Sequence, residues 1–182
     1  MASPRYALIT YIRNSVGQFV DDLRCELHPK TAHMSAHVTI LPPRALCGPE
    51  SAALEFLEEA CSRITPFDID LGDVATFLPV TPTVFIEVNH AAEHIRALHD
   101  QLSAQALCSP EDWPFRPHLT IVKVEEEQQA REAYEIARTR WSQFRGNRQL
   151  HVSELMFVRE DDGHWQDLAL VPLGRGLLSS RR

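Results

Sequence analysis

The chain carries one pattern twice. HVTIL at His37–Leu41 and HLTIV at His118–Val122 each read histidine, apolar residue, threonine and two apolar residues. The surroundings of the two copies match as well, and that limits the fold more than the pentapeptides alone. In the first half an apolar stretch, Tyr6–Ile12, suits a strand. NSVGQFVDDLRCEL follows, with Val16, Phe19, Val20, Leu23 and Leu27 at helical spacing behind an N-cap at Asn14 or Ser15. HVTIL reads as a short strand that Pro42 and Pro43 are expected to end. A second helix puts Leu54, Leu57, Cys61 and Ile64 on one face, and a strand then alternates Phe67, Ile69 and Leu71 with Asp68 and Asp70. The second half repeats the order: a strand at Thr83–Val88, a helix through His90–Leu102 with Ala91, Ile95, Leu98 and Leu102 on one face, and the strand HLTIVKV. A helix placing Ala130, Ala133, Tyr134, Ala137 and Trp141 together and a strand at Leu150–Val158 complete the repeat. A last strand, about Trp165–Val171, follows a DDG turn at Asp161–Gly163. The expectation is an α+β fold of two pseudo-symmetric β-α-β-α-β halves, about 5–78 and 82–172, within a single bilobal domain over 1–175. Residues 176–182 read as a basic tail.

Composition narrows the class. With 182 residues, 44% hydrophobic and 24% charged, the chain can bury an ordinary enzyme core. No stretch approaches the roughly 20 apolar residues of a membrane span, and MASPRYALITYI lacks the basic and long apolar regions of a leader, so a cytoplasmic location is expected; the chain is also expected to be a monomer. Cys25, Cys47, Cys61 and Cys108 show no CxxC spacing and read as reduced thiols, mostly core or helix-face fillers. A net charge of −7 argues against coating long duplex nucleic acid, though not against a short nucleotide in a local basic pocket.

Strand alternation gives the repeated pattern its chemistry. His37 and Thr39 share one face, as do His118 and Thr120, while Val38, Ile40, Leu119 and Ile121 point to the other. If the apolar face packs on helices, two imidazoles and two hydroxyls face one cleft. In-line displacement at a phosphodiester needs that set: one histidine to take a proton from the nucleophile, one to protonate the leaving oxygen, and hydroxyls to donate to the non-bridging oxygens. The paired H-x-T-x motifs, with the flanks HVTILPP and RPHLTIVK, resemble the two-histidine, or 2H, phosphoesterase superfamily, which includes 2',5' RNA ligases and cyclic nucleotide phosphodiesterases. The resemblance runs from Tyr6 to about Val171. It implies a bilobal fold with mainly antiparallel sheets around a central cleft, and His37, Thr39, His118 and Thr120 as a catalytic tetrad. It implies chemistry at 2',3'-cyclic phosphate or 2',5' linkages of RNA ends or small nucleotides, without metal or other cofactor.

A phosphate and a base would need further residues. Lys123 matches the position of a basic residue in some relatives, although alternation puts it on the face of Ile121 unless the strand bulges. Arg44, Arg116 and Tyr11 are alternatives, and Phe77, Phe115 and Trp165 are the aromatics that could stack a base. Two other classes compete. HAAEH at His90–His94 fits the H-x-x-E-H pattern of a zinc hydrolase, although its ordinary reading is the solvated first turn of a helix, with no clear third ligand. A nucleotide-binding module that has lost turnover is the other; the retention of all four tetrad residues weighs against it.

Overall fold

A computed structural model of the protein describes residues 3–31, 33–111, 113–161 and 164–174. The elements are β1 (Arg5–Tyr11), α1 (Ser15–Leu27), β2 (His37–Arg44), α2 (Glu50–Ser62), β3 (Phe67–Thr76) and β4 (Thr83–Val88). They continue with α3 (Ala92–Leu102), β5 (His118–Lys123), α4 (Glu127–Gln143), β6 (Gln149–Val152), β7 (Glu154–Asp161) and β8 (His164–Pro172). Residues 162 and 163 of the expected DDG turn, and the expected tail, lie outside the described residues.

The strands form one eight-stranded sheet in the order β6-β3-β4-β5-β2-β1-β7-β8, with every pairing antiparallel. The order is that of an α+β duplication whose halves exchange strands. β3 leaves the first half to pair with β4 of the second, and β7 leaves the second half to pair with β1 of the first. The motif strands β2 and β5 meet in the middle through one pair, Val38 opposite Leu119.

Helix α1 starts where Asn14 predicts: its Oδ1 accepts from the amides of Val16 and Gly17. Gly17 has no room for a side chain, since a Cβ there would lie 1.8 Å from the carbonyl oxygen of Ile12. Val16, Val20 and Leu23 bury the helix's apolar stripe, and α1 and α3 pack on β5 and β2, each on the motif strand of the other half. The main core takes in Val38, Ile40, Leu119 and Ile121, all fully buried, each contributing about 1.5–3 kcal/mol relative to exposure. A smaller cluster of Ala7, Ile9 and Val158, flanked by Tyr11, Met156 and Trp165, forms separately from it. No described helix is long and apolar enough to cross a membrane.

Four expectations are corrected. The stretch Leu150–Val158 is two strands, because its buried positions run Leu150 and Val152, then Leu155 and Phe157, and the alternation changes phase at Ser153. The two pieces pair far apart in the sheet, with β3 and β1. Strand β2 does not stop at Pro42 and Pro43 but continues to Arg44, since its pairing with β5 ends after Val38 and leaves an edge on which prolines need donate nothing. Helix α3 begins at Ala92, not at His90, because Ala91 holds a left-handed φ of 69°. Among the cysteines only Cys61 is buried; Cys25, Cys47 and Cys108 are exposed.

Candidate active site at the seam of the sheet

The β2–β5 seam brings the two motifs together. Extending the antiparallel register from Val38 and Leu119 sets Thr39 opposite His118 and His37 opposite Thr120. The outer neighbours follow the same order, with Ile9 opposite Thr39 and Tyr11 opposite His37 on β1, and Phe85 opposite Thr120 and Glu87 opposite His118 on β4. Each motif strand then bulges at the same place. Leu8 faces Leu41 while Ile9 faces Thr39, which leaves Ile40 unmatched; Val84 faces Val122 while Phe85 faces Thr120, which leaves Ile121 unmatched. The extra residue is the fourth of the motif in both halves. It also changes the alternation, so that Ile121 and Val122 are both buried and Lys123 is exposed.

The two histidines are oriented alike. Nδ1 of His37 donates to the Ser35 carbonyl at 2.8 Å, and Nδ1 of His118 donates to the Arg116 carbonyl at 2.7 Å. A carbonyl can only accept, so in the neutral ring the proton sits on Nδ1 and Nε2 keeps its lone pair. Burial pushes the pKa of His37 down to about 4; the Ser35 carbonyl works against that, and the charges of Arg24 and of a protonated His118 add to it. His118 is also lowered, first by burial, with the Arg116 carbonyl opposing and the Arg116 charge reinforcing. Both rings are therefore neutral at pH 7, and a charge on His118 is felt at His37.

Different aromatic walls flank the two rings. His37 lies 5.2 Å, centroid to centroid, from Trp165 and meets Tyr11 edge-on at 6.5 Å. The Tyr11 hydroxyl donates to Asp167 at 2.7 Å, and its pKa is raised, chiefly by burial and then by that hydrogen bond. His118 lies 4.9 Å from Phe77 and 5.1 Å from Phe85. The Arg116 guanidinium sits over Phe85 and Phe77 at 5.3 and 5.9 Å and is ion-paired with Glu87. A cleft of about 340 Å³ opens beside Tyr11, bordered by Arg13, Asn14, Ser35 and Asp167.

Of the auxiliary candidates, Tyr11 and Arg116 adjoin the histidines, as do the aromatics Trp165 and Phe77. Arg44 and Phe115 belong to a separate cluster. Arg44 is buried and bonds Glu111 at 2.7 Å, Ser103 and the Leu107 carbonyl, while Phe115 stacks on His99 at 3.9 Å. Sequence reading missed Phe85, Glu87 and Asp167; the first two become legible only when β4 is set in register with β5. HAAEH does not form the helical turn that two zinc-binding histidines need, since His90 precedes α3 and His94 packs against Phe67 at 4.5 Å. Among the described residues no group of three or more His, Cys, Asp or Glu is placed to hold a metal ion.

Comparisons agree with this architecture. The family model described as the 2'-5' RNA ligase superfamily matches residues 13–164. A Bacillus pumilus protein, provisionally named a phosphoesterase, is 23% identical over 120 residues, covering 65% of this chain and 70% of that one. A similarly named protein of Bacillus cereus is 22% identical over 173 residues, covering 94% and 98%. Among solved structures, E. coli LigT complexed with ATP aligns with a TM-score of 0.61 at 18% identity, over 94% of this chain and 99% of that one. LigT complexed with 3'-AMP aligns at 0.56 and 16%, with the same coverage. At such identities the structures speak for the fold.

Proposed function

The chain belongs to the 2'-5' RNA ligase superfamily, and from that premise we propose that it is a phosphoesterase of 2',3'-cyclic phosphates or 2',5' phosphodiesters on RNA ends or small nucleotides. The observation that carries this reading is the matched pair of imidazoles across the seam, each with Nδ1 spent on a carbonyl two residues upstream and Nε2 left for proton transfer. In hydrolysis of a cyclic phosphate, Nε2 of one histidine takes a proton from water as its oxygen attacks phosphorus. The other, as imidazolium, gives its proton to the ribose oxygen whose bond to phosphorus breaks, so that water is consumed and a monoester forms. Thr39 and Thr120 donate to the non-bridging oxygens. In ligation a 5'-hydroxyl takes the place of water: one histidine removes its proton as the oxygen attacks phosphorus, the bond to the 3' oxygen breaks and that oxygen takes the other histidine's proton, and the 2' oxygen keeps the phosphate as a 2',5' diester. Both histidine pKa values are lowered in the free protein, and an arriving phosphate anion favours the protonated ring that the acid role needs.

Arg116, beside His118, and Lys123, turned outward by the bulge, supply positive charge near the phosphate, while Tyr11 and Trp165 offer a surface beside His37 on which a base rests. The LigT complexes with ATP and 3'-AMP make a small nucleotide the class to test first. The test is a panel of 2',3'-cyclic nucleotides, 2',5' dinucleotides and 3',5' dinucleotides, each with and without EDTA. Hydrolysis of either of the first two classes, unaffected by EDTA, is expected. No turnover of either, or turnover that EDTA abolishes, would overturn the reading.

A further inference from the structure

The bulges expose a requirement that the tetrad does not meet. An extra residue in a strand takes its own carbonyl out of the ladder, and a buried carbonyl needs a donor. Both donors come from the opposite half. Arg24 of α1 gives Nε to the Ile121 carbonyl at 2.9 Å and a terminal nitrogen to the Thr120 carbonyl at 2.7 Å. His99 of α3 places Nδ1 2.7 Å from the Ile40 carbonyl. Each of the two residues is 4% exposed, a degree of burial rare for an arginine.

The same two side chains also hold the approach to the motif of their own half. Arg24 bonds the carbonyl of Met34, three residues before His37. Its neighbour Asp21 accepts the amide of Ala36 at 2.8 Å, beside the Ser35 carbonyl that orients His37. His99 stacks on Phe115, three residues before His118, with an interplanar angle of 6°, and its Nε2 lies 3.1 Å from Glu111 of the same segment. Arg44, on β2 beyond the first motif, closes this cluster by pairing with Glu111.

We propose that Arg24 and His99 are reciprocal positioning residues, each tying the bulge of the other half's motif strand to the segment that leads into the motif of its own half. They fix the placement of His37 and His118 relative to each other without touching substrate. The function of the brace rests on the phosphoesterase reading; its geometry does not.

The test uses Arg24→Lys, Arg24→Gln, His99→Asn and His99→Ala in the full chain. Lysine keeps the charge but lacks the fork that reaches three carbonyls, and asparagine keeps a donor near the place of Nδ1 while giving up the stack on Phe115. The imidazole titrations of His37 and His118 are followed by NMR, together with kcat and KM on a 2',3'-cyclic nucleotide. The groups that bear on His37 are Arg24 from α1, His118 from β5, Tyr11 from β1 and, through Tyr11, Asp167 from β8. Arg24→Gln is expected to raise the titration midpoint of His37, because a nearby cation is gone. Arg24→Lys and His99→Ala are expected to lower kcat roughly 10- to 100-fold with KM little changed, and His99→Asn to recover part of that loss. The proposal fails if folded Arg24→Lys and His99→Ala proteins keep wild-type kcat and wild-type titration of both rings. If the wild type turns over no substrate, it is the phosphoesterase reading that fails; unmoved titrations in all four variants then overturn the brace on their own.

Discussion

Each motif histidine commits Nδ1 to a backbone carbonyl, and on the proposed reading its Nε2 serves the chemistry, so replacement should cost activity more than the fold. His37→Ala and His118→Ala are expected to lower kcat by about 10²- to 10⁴-fold each with circular dichroism unchanged. His37 also makes stability depend on pH. Its folded-state pKa of about 4 lies below the unfolded value near 6.5, so between these values the unfolded chain binds more protons. Above about 6.5 neither state is protonated and there is no penalty; as pH falls toward 4 the folded state loses ground. Thermal midpoints should therefore drop from pH 7 to pH 4.5, with a smaller drop in His37→Gln, measured by melts across that range. The shared face of each histidine and threonine was legible in the sequence, because residues two apart in a strand point the same way. The sequence could not show which arginine stands in the site. Arg44 and Arg116 flank the two motifs equally well in letters, and burial against Glu111 separates one from the other only after folding.

At the scale of elements, α1 carries Arg24 and Asp21, and its docking decides whether they reach their partners. Asn14→Ala removes the acceptor for two amides and should cost about 1 kcal/mol. Gly17→Ala pushes a methyl into the Ile12 carbonyl and should cost more, about 3 kcal/mol, with urea midpoints giving both values. Helical stripes and the Asn14 cap were readable because periodicity and capping are local. The bulges at Ile40 and Ile121 were not, since a bulge is a mismatch between two strands and one strand's letters do not contain it. The break at Ser153 is present in the sequence as a change of phase in the apolar alternation, from Leu150 and Val152 to Leu155 and Phe157.

For the whole molecule, the exchange of β3 and β7 means that neither half can complete its sheet alone. Separately made 1–80 and 81–182 fragments should be unfolded by circular dichroism, while their mixture should regain β structure; a folded isolated fragment would contradict the interleaved sheet. Sequence reading found two halves and expected them to pair, but it could not assign strands to lobes, because antiparallel partners are chosen by tertiary packing across more than a hundred residues.

That exchange also sets an order of events during synthesis. β1 is synthesised well before its partner β7, which begins only at Glu154. Until then β1 has β2 alone to pair with, and the Tyr11 and Trp165 walls of the His37 side cannot assemble. In a nascent chain His37 therefore lacks its Trp165 wall until β8 has been made, long after the β2–β5 seam can pair.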